Sequence, residues 1–172
     1  FYNGGHMQKH AVDLGLGAMN GPALATEVMG ALGADVVLSY PTPQLAGGVS
    51  TSAADYARFL RHVIAGDLGI RAMLGSPSVC TNPTTCADAV STPIPTTEDW
   101  HYGIGHWIED DPAVGDGAVS SPGLFGFYPW IDASTTVWGI VARYELPTAS
   151  SAPSLESVVC GRSIRRAFFA AD

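Results

Sequence analysis

Apolar residues recur at helical spacing in three places within the first seventy positions and once more at the C-terminal end, with strand-like runs between them. From His6 to about Leu16 the spacing predicts a helix. A second is expected from Ala23 to Leu32, where Gly33 supplies a C-terminal stop. The strongest pattern follows Ser52: Asp55, three residues on, makes a capping-box-like start, and Tyr56, Phe59, Leu60, Val63 and Ile64 form an apolar stripe that ends at Gly66. A closing helix is expected from about Leu155 to Ala170, with Ser154 as N-cap and Cys160, Ile164, Ala167 and Phe168 on one apolar face.

Between these helices, strands are predicted at 101–108, 118–131 and 135–144, the last rich in β-branched and aromatic side chains. The Asp116-Gly117 pair suits a hairpin turn. A loop rich in Pro and Gly runs to Val49, and residues 76–99 are expected to form a long irregular insertion. Helices first, then an antiparallel meander, then a helix, with no repeat, predict an α+β fold: one domain over residues 1–172, its sheet flanked by helices and leaving an unpaired edge.

Composition narrows the function. With 47% hydrophobic and 14% charged residues the chain should be folded rather than disordered. The net charge of -8, with eight Lys and Arg in all, argues against a nucleic-acid partner. Arg162, Arg165 and Arg166 cluster near the C-terminus, where they are expected to favour a helix end. No apolar run approaches the roughly 20 residues that span a bilayer. The start at Phe1 rather than Met reads as a mature, trimmed or cleaved product.

Cys80 and Cys86 bracket the short polar loop CTNPTTC, which predicts a disulfide and an oxidising compartment; two free thiols are the alternative. The spacing is too wide for the tight pairs of structural zinc sites, so no metal is expected there. Cys160 is left over, either buried on its helix or paired with another polypeptide. His101 and His106, five apart in a predicted strand, would face opposite sides and are read as structural or exposed. The run Glu109-Asp110-Asp111 with Asp116 lacks the EF-hand pattern and is expected to be a solvated hairpin tip rather than a calcium site.

Three strings carry a family resemblance. FYNGGHMQ at 1–8, AGGVSTSAADYARFL at 46–60 and SSPGLFGFYPWID at 120–132 together resemble the later part of a serine hydrolase of the β-lactamase-like, penicillin-recognising superfamily. The resemblance covers most of residues 1–145 and implies a β-lactamase/DD-peptidase-like fold lacking its N-terminal segment. In that family a Ser-x-x-Lys motif supplies the nucleophile, a Tyr-centred motif the base and a strand-edge motif the rest of the pocket. No Ser-x-x-Lys occurs here, since the sole lysine, Lys9, is preceded three places earlier by His6. By the resemblance, Tyr2 is the candidate base. A one-residue shift would instead align Phe1 with the family Tyr and Asn3 with its Asn.

The third motif is usually Lys-Thr-Gly or His-x-Gly, and Ser120-Ser121-Pro122-Gly123 stands in its place. The resemblance gives Ser120, Ser121, Gly123, Leu124 and Phe125 substrate-binding roles, with a backbone N–H near Gly123 or Leu124 as the oxyanion donor. Loss of the motif's cation weakens carboxylate recognition and turns the expectation toward neutral esters or amides. An esterase-like branch is implied, secreted or periplasmic, with no cofactor and with a missing or separate N-terminal segment as partner. The rivals are a non-catalytic binding module that kept the fold and a proteolytic fragment with no function of its own. The aromatic string 125–132 has its own alternative, an edge strand with bulky packing residues.

Overall fold

The computed structural model describes residues 1–171. These divide into two compact units, Phe1–Ala72 with Ser91–Pro93, and Met73–Val90 with Ile94 onward.

The first unit holds helices α1 (Gly5–Asp13), α2 (Gly21–Leu32) and α3 (Ala53–Ala65) and an antiparallel pair, β1 (Leu38–Ser39) with β2 (Ser50–Thr51). Local chemistry sets the helix ends. The Asn20 side chain accepts the Ala23 N–H ahead of α2, and the Ser52 hydroxyl accepts the Asp55 N–H at 3.0 Å ahead of α3. Gly66, at φ 87°, closes α3 as expected. Helix α1 is shorter than its apolar pattern predicts: it stops at Asp13, and the chain turns through Gly15 at φ 78°. On α3, Leu60 and Val63 are buried and Tyr56, Phe59 and Ile64 half-buried, so the predicted stripe is the inward face. Leu24, Ala25 and Tyr40 form a core cluster packed by Val28, Leu38 and Leu45.

The second unit is a six-stranded antiparallel meander with a helix. Its strands follow chain order: β3 (Val79–Cys80), β4 (His101–Tyr102), β5 (Trp107–Glu109), β6 (Ala118–Ser120), β7 (Tyr128–Ile131) and β8 (Trp138–Val141). Helix α4 (Pro153–Phe169) closes the chain. The architecture is α+β, with antiparallel sheets flanked by four helices. Two predicted strands are each two. Residues 101–108 fold back on themselves as β4 and β5, because Gly103 to His106 make a turn in which the Gly103 N–H donates to the His106 carbonyl at 2.8 Å. Residues 118–131 break at Pro122-Gly123 into β6 and β7, paired through Ser120 with Trp130 and Val119 with Ile131. Proline and glycine favour a turn over a continuous ladder.

The predicted irregular insertion contains β3, and Cys80 is bonded to Cys86 across a Cα–Cα distance of 6.2 Å. The loop they close is organised by Asn82, which is buried; its amide donates to the Thr96 carbonyl at 3.1 Å and to Asp99 at 2.6 Å, and its oxygen accepts the Thr84 N–H at 2.9 Å. The disulfide fits an oxidising, extracellular or periplasmic setting. Among the described residues no helix is long and apolar enough to cross a membrane.

Helix α4 overturns three expectations. Its N-cap is Ala152, with Pro153 at the first position rather than Ser154 as cap. Its apolar residues face outward: Ile164 and Phe168 are about half exposed, and Cys160 is an exposed free thiol. The buried face instead carries Ser157, Val158, Gly161, Arg162 and Arg165, so two of the three arginines are not at a solvated helix end. Gly161 lets the helix approach β7, since a Cβ there would lie 2.3 Å from the Tyr128 ring.

The reason lies on the facing sheet. Glu109, expected at a solvated tip, is wholly buried, and its Oε2 accepts from Arg162 Nε and Arg165 Nη2, each at 2.9 Å. Its other oxygen accepts from the Tyr128 hydroxyl, which also accepts from Arg165 at 2.6 Å. Asp116 takes Arg165 Nε at 2.7 Å and Nη2 at 3.0 Å, while Glu98 takes Arg162 at 2.8 Å. The guanidinium groups lie 5.1 Å from the Trp100 and Trp130 ring centroids respectively. Burial and the Glu109 charge push the Tyr128 phenol far above its usual range. For Asp116, burial works toward protonation, but the Arg165 hydrogen bond and charge outweigh it and hold the carboxyl below its usual value.

One-sided removal of a buried ion pair leaves an uncompensated charge and typically costs about 3–5 kcal/mol. Glu109→Gln should destabilise the chain by about 3 kcal/mol, at the low end because Glu98 and Asp116 still hold the arginines. A urea unfolding series reads this directly; a change below about 1 kcal/mol would show that the arginines find other partners as α4 shifts.

Candidate functional site

The β6–β7 connection, residues 121–127, is a tight, internally bonded loop rather than a strand edge. The Ser121 N–H donates to the Pro129 carbonyl at 3.2 Å, Gly123 N–H to the Phe127 carbonyl at 2.8 Å and Gly126 N–H to the Gly123 carbonyl at 2.9 Å. The loop is tied to the chain beyond β8, because the Glu145 N–H donates to the Phe125 carbonyl at 2.9 Å. Gly126 sits at φ 95°, and a Cβ there would meet Arg143 at 3.0 Å and Pro153 at 3.2 Å. Only glycine satisfies both the conformation and the space.

The sequence-nominated residues separate by role within this loop. Ser120 belongs to β6, in register with Trp107 and Trp130. Directly opposed residues share a face, so its hydroxyl lies on the side of Trp130 and Arg165, where it is buried with no hydrogen-bond partner. Ser121 and Gly123 are half-buried, and their N–H groups already have acceptors. Leu124 differs: its N–H has no acceptor among the described residues, and the residue is 65% exposed. Of the two positions expected to offer an oxyanion donor, this is the one with an open group. Phe125 is exposed, and its ring lies 5.3 Å from that of Tyr144.

Tyr144 and Arg143 were not singled out by sequence reasoning. The contact that brings them to the loop is a backbone bond between positions twenty apart, which no local pattern encodes. Arg143 donates from Nη1 to Glu156 at 2.7 Å and from Nε to Glu145 at 3.0 Å. The hydrogen bond to Glu145 and then that to Glu156 raise its already high pKa, and Arg143 in turn holds the Glu156 carboxyl below its usual value. This cation is matched by two carboxylates.

Tyr2 lies in the first unit, half-buried, its N–H donating to the Ser91 carbonyl at 3.3 Å and its ring 5.8 Å from that of His6. Tyr2 and the β6–β7 loop thus belong to different units. In the string 46–60, Ser52 and Asp55 open α3 as the capping pattern predicts. Its Asp55 also accepts the Val37 N–H at 3.2 Å.

No protein-family profile and no curated protein matches the chain. A solved structure from Bacteroides dorei DSM 17855, described as a "putative beta-lactamase", is similar at 22% identity and a TM-score of 0.47, over 81% of this chain and 49% of that one. The chain spans about half the length of that protein.

The histidines contribute little open chemistry. His101 and His106 lie on different parts of a hairpin, so the opposite-face argument does not apply. His101 Nδ1 is 2.8 Å from Asp110. His106 Nε2 accepts the Gly75 N–H at 2.9 Å while Nδ1 faces the Ile104 carbonyl at 3.0 Å, an arrangement only the neutral ring can make. His62 is the reverse: its two ring nitrogens each lie 2.8 Å from a carboxylate, Asp67 and Asp35, which suits the imidazolium. Burial lowers the His106 pKa from 6.5, and hydrogen bonds to Asp67 and Asp35 raise that of His62 from the same value. The His106 contribution to stability is therefore present above about pH 6.5 and lost as pH falls through its lowered value. That of His62 is present below about pH 6.5 and lost as pH rises through its raised value. A ring-proton NMR titration should place the two midpoints on opposite sides of 6.5; both on one side would contradict the bonding described.

Proposed function

We propose that the chain is the C-terminal part of a secreted or periplasmic serine hydrolase acting on neutral esters or amides, whose nucleophilic Ser-x-x-Lys lies on a segment outside it. The open Leu124 N–H supports this reading: it lies in the segment to which the resemblance gives the oxyanion donor, and it has no acceptor among the described residues. In the reaction the serine oxygen attacks the substrate carbonyl carbon while a base, the role that the resemblance gives Tyr2, takes the hydroxyl proton. The oxyanion faces the Leu124 N–H, and as the tetrahedral intermediate collapses the C–O or C–N bond to the leaving group breaks. The proton passes to the departing alcohol or amine. Water then attacks the acyl-enzyme, gives its proton by the same route and releases the acid and the free serine.

The missing segment has surfaces on which to pack. Among the described residues strand β8 ends the sheet with an unpaired edge, and α4 turns Val159, Ile164 and Phe168 outward. A non-catalytic binding module is the second reading, supported by the absence of Lys or His in the Ser120–Gly123 motif and by the occupied Gly123 N–H.

The gene product with its upstream segment decides between them. A fluorophosphonate should add one adduct to a serine outside this chain, read by intact mass. Tyr2→Phe should keep the fold and slow acylation by a chromogenic ester about two to four orders of magnitude, as loss of a general base does. Labelling with unchanged acylation in Tyr2→Phe would remove Tyr2 from the mechanism; no labelling would favour the binding module.

A further inference from the structure

Resting on the reading above, the geometry points to an aromatic subsite beside the Leu124 N–H, formed by Phe125 and Tyr144, that receives the neutral, ring-bearing substituent of a small ester or amide. Both rings are exposed, Tyr144 by 78% and Phe125 by 39%, yet they hold one another at 5.3 Å with planes inclined at 54°. Their backbones are fixed together by the Glu145 N–H to Phe125 carbonyl bond. Leu124, next to Phe125, and Leu146, two positions beyond Tyr144, are 65% and 61% exposed. Four large apolar side chains thus meet solvent from two backbone segments that are locked in place.

Charge selects the occupant. Arg143, next to Tyr144, makes its ion pairs with Glu145 and Glu156, which leaves two carboxylates sharing one guanidinium at the border of the patch. A substrate carboxylate would meet no unmatched cation there and would face like charge. A neutral aromatic ring gains apolar contact and edge or offset stacking on Phe125 and Tyr144 at no such cost. The same surface does not suit the acidic ligands that the motif's usual Lys or His would recognise, so the missing cation and the added rings act in one direction.

The test uses the full chain with two probes of equal heavy-atom count, neutral 4-phenyl-2-butanone and anionic 3-phenylpropionate. Binding is followed by chemical-shift changes at the 124–127 and 143–146 amides and by sedimentation at several protein concentrations. The ketone should shift both segments and bind more tightly than the carboxylate, and Phe125→Ala or Tyr144→Ala should each weaken it about tenfold. Tyr144→Phe should retain binding, which separates ring contact from loss of structure. Equal binding by the Ala variants, or a preference for the carboxylate, would overturn the subsite. Concentration-dependent dimerisation abolished by Tyr144→Ala would overturn it too, by making a second copy the occupant. Failure is distinguishable from that of the hydrolase reading. Ketone binding at these rings without fluorophosphonate labelling upholds the subsite in a binding module, whereas labelling without ketone selectivity removes the subsite alone.

Discussion

The second unit is organised around one buried carboxylate. Glu109 is fully enclosed, and two arginines from α4 and a tyrosine from β7 converge on it. An isolated carboxylate in that position would be too costly to keep ionised, and so would either arginine. Each is tolerable only because the others are present. This makes the helix position specific: a slide of one turn would separate the charges, whereas a purely apolar interface would tolerate it. Glu98 and Asp116 extend the same constraint to both flanks of the sheet.

That constraint explains what would otherwise be an inverted helix. With the guanidinium groups directed at the sheet, Val158 remains on the buried face of α4 while Val159, Ile164 and Phe168 are left at the surface. It also anchors the start of β7 through Tyr128, whose ring lies against Gly161. The β6–β7 loop begins and ends on these fixed strands. Its own bonds, and the tie from Glu145 to Phe125, then leave little freedom in the backbone that presents the Leu124 N–H and the exposed rings. A rigid frame of this kind suits a site that must hold a donor in place before the ligand arrives.

The cation beside the loop is outnumbered by its carboxylate partners. Arg143 is bracketed by Glu145 and Glu156, and the acidic excess of the chain stands in place of the unmatched cation that a carboxylate ligand would need. What remains open at the loop is an N–H group and apolar area. The proposed preference for a neutral ligand rests on this combination.

How much of this was legible in the sequence varies with the range of the interaction responsible. Helix α3 and the stops of α2 and α3 were readable because Ser52, Gly33 and Gly66 act on backbone groups within four residues, whereas the Asn20 cap, which starts α2 at Gly21 rather than Ala23, was not read. The Cys80–Cys86 bridge was readable from the short polar loop it closes, and the α+β class from the succession of elements. The β6–β7 break was encoded at Pro122-Gly123 but masked by the apolar run around it, since alternation and turn signals compete in one short window. The orientation of α4 was not readable: its apolar periodicity marked one face, while partners 37 to 64 residues away buried the other. In the same way Tyr144 and Arg143 reached the candidate site through contacts with Phe125 and Glu156 that only the folded chain makes. Local hydrogen-bonding propensity therefore determined the elements, and the requirement that buried charges find each other determined how the second unit assembled.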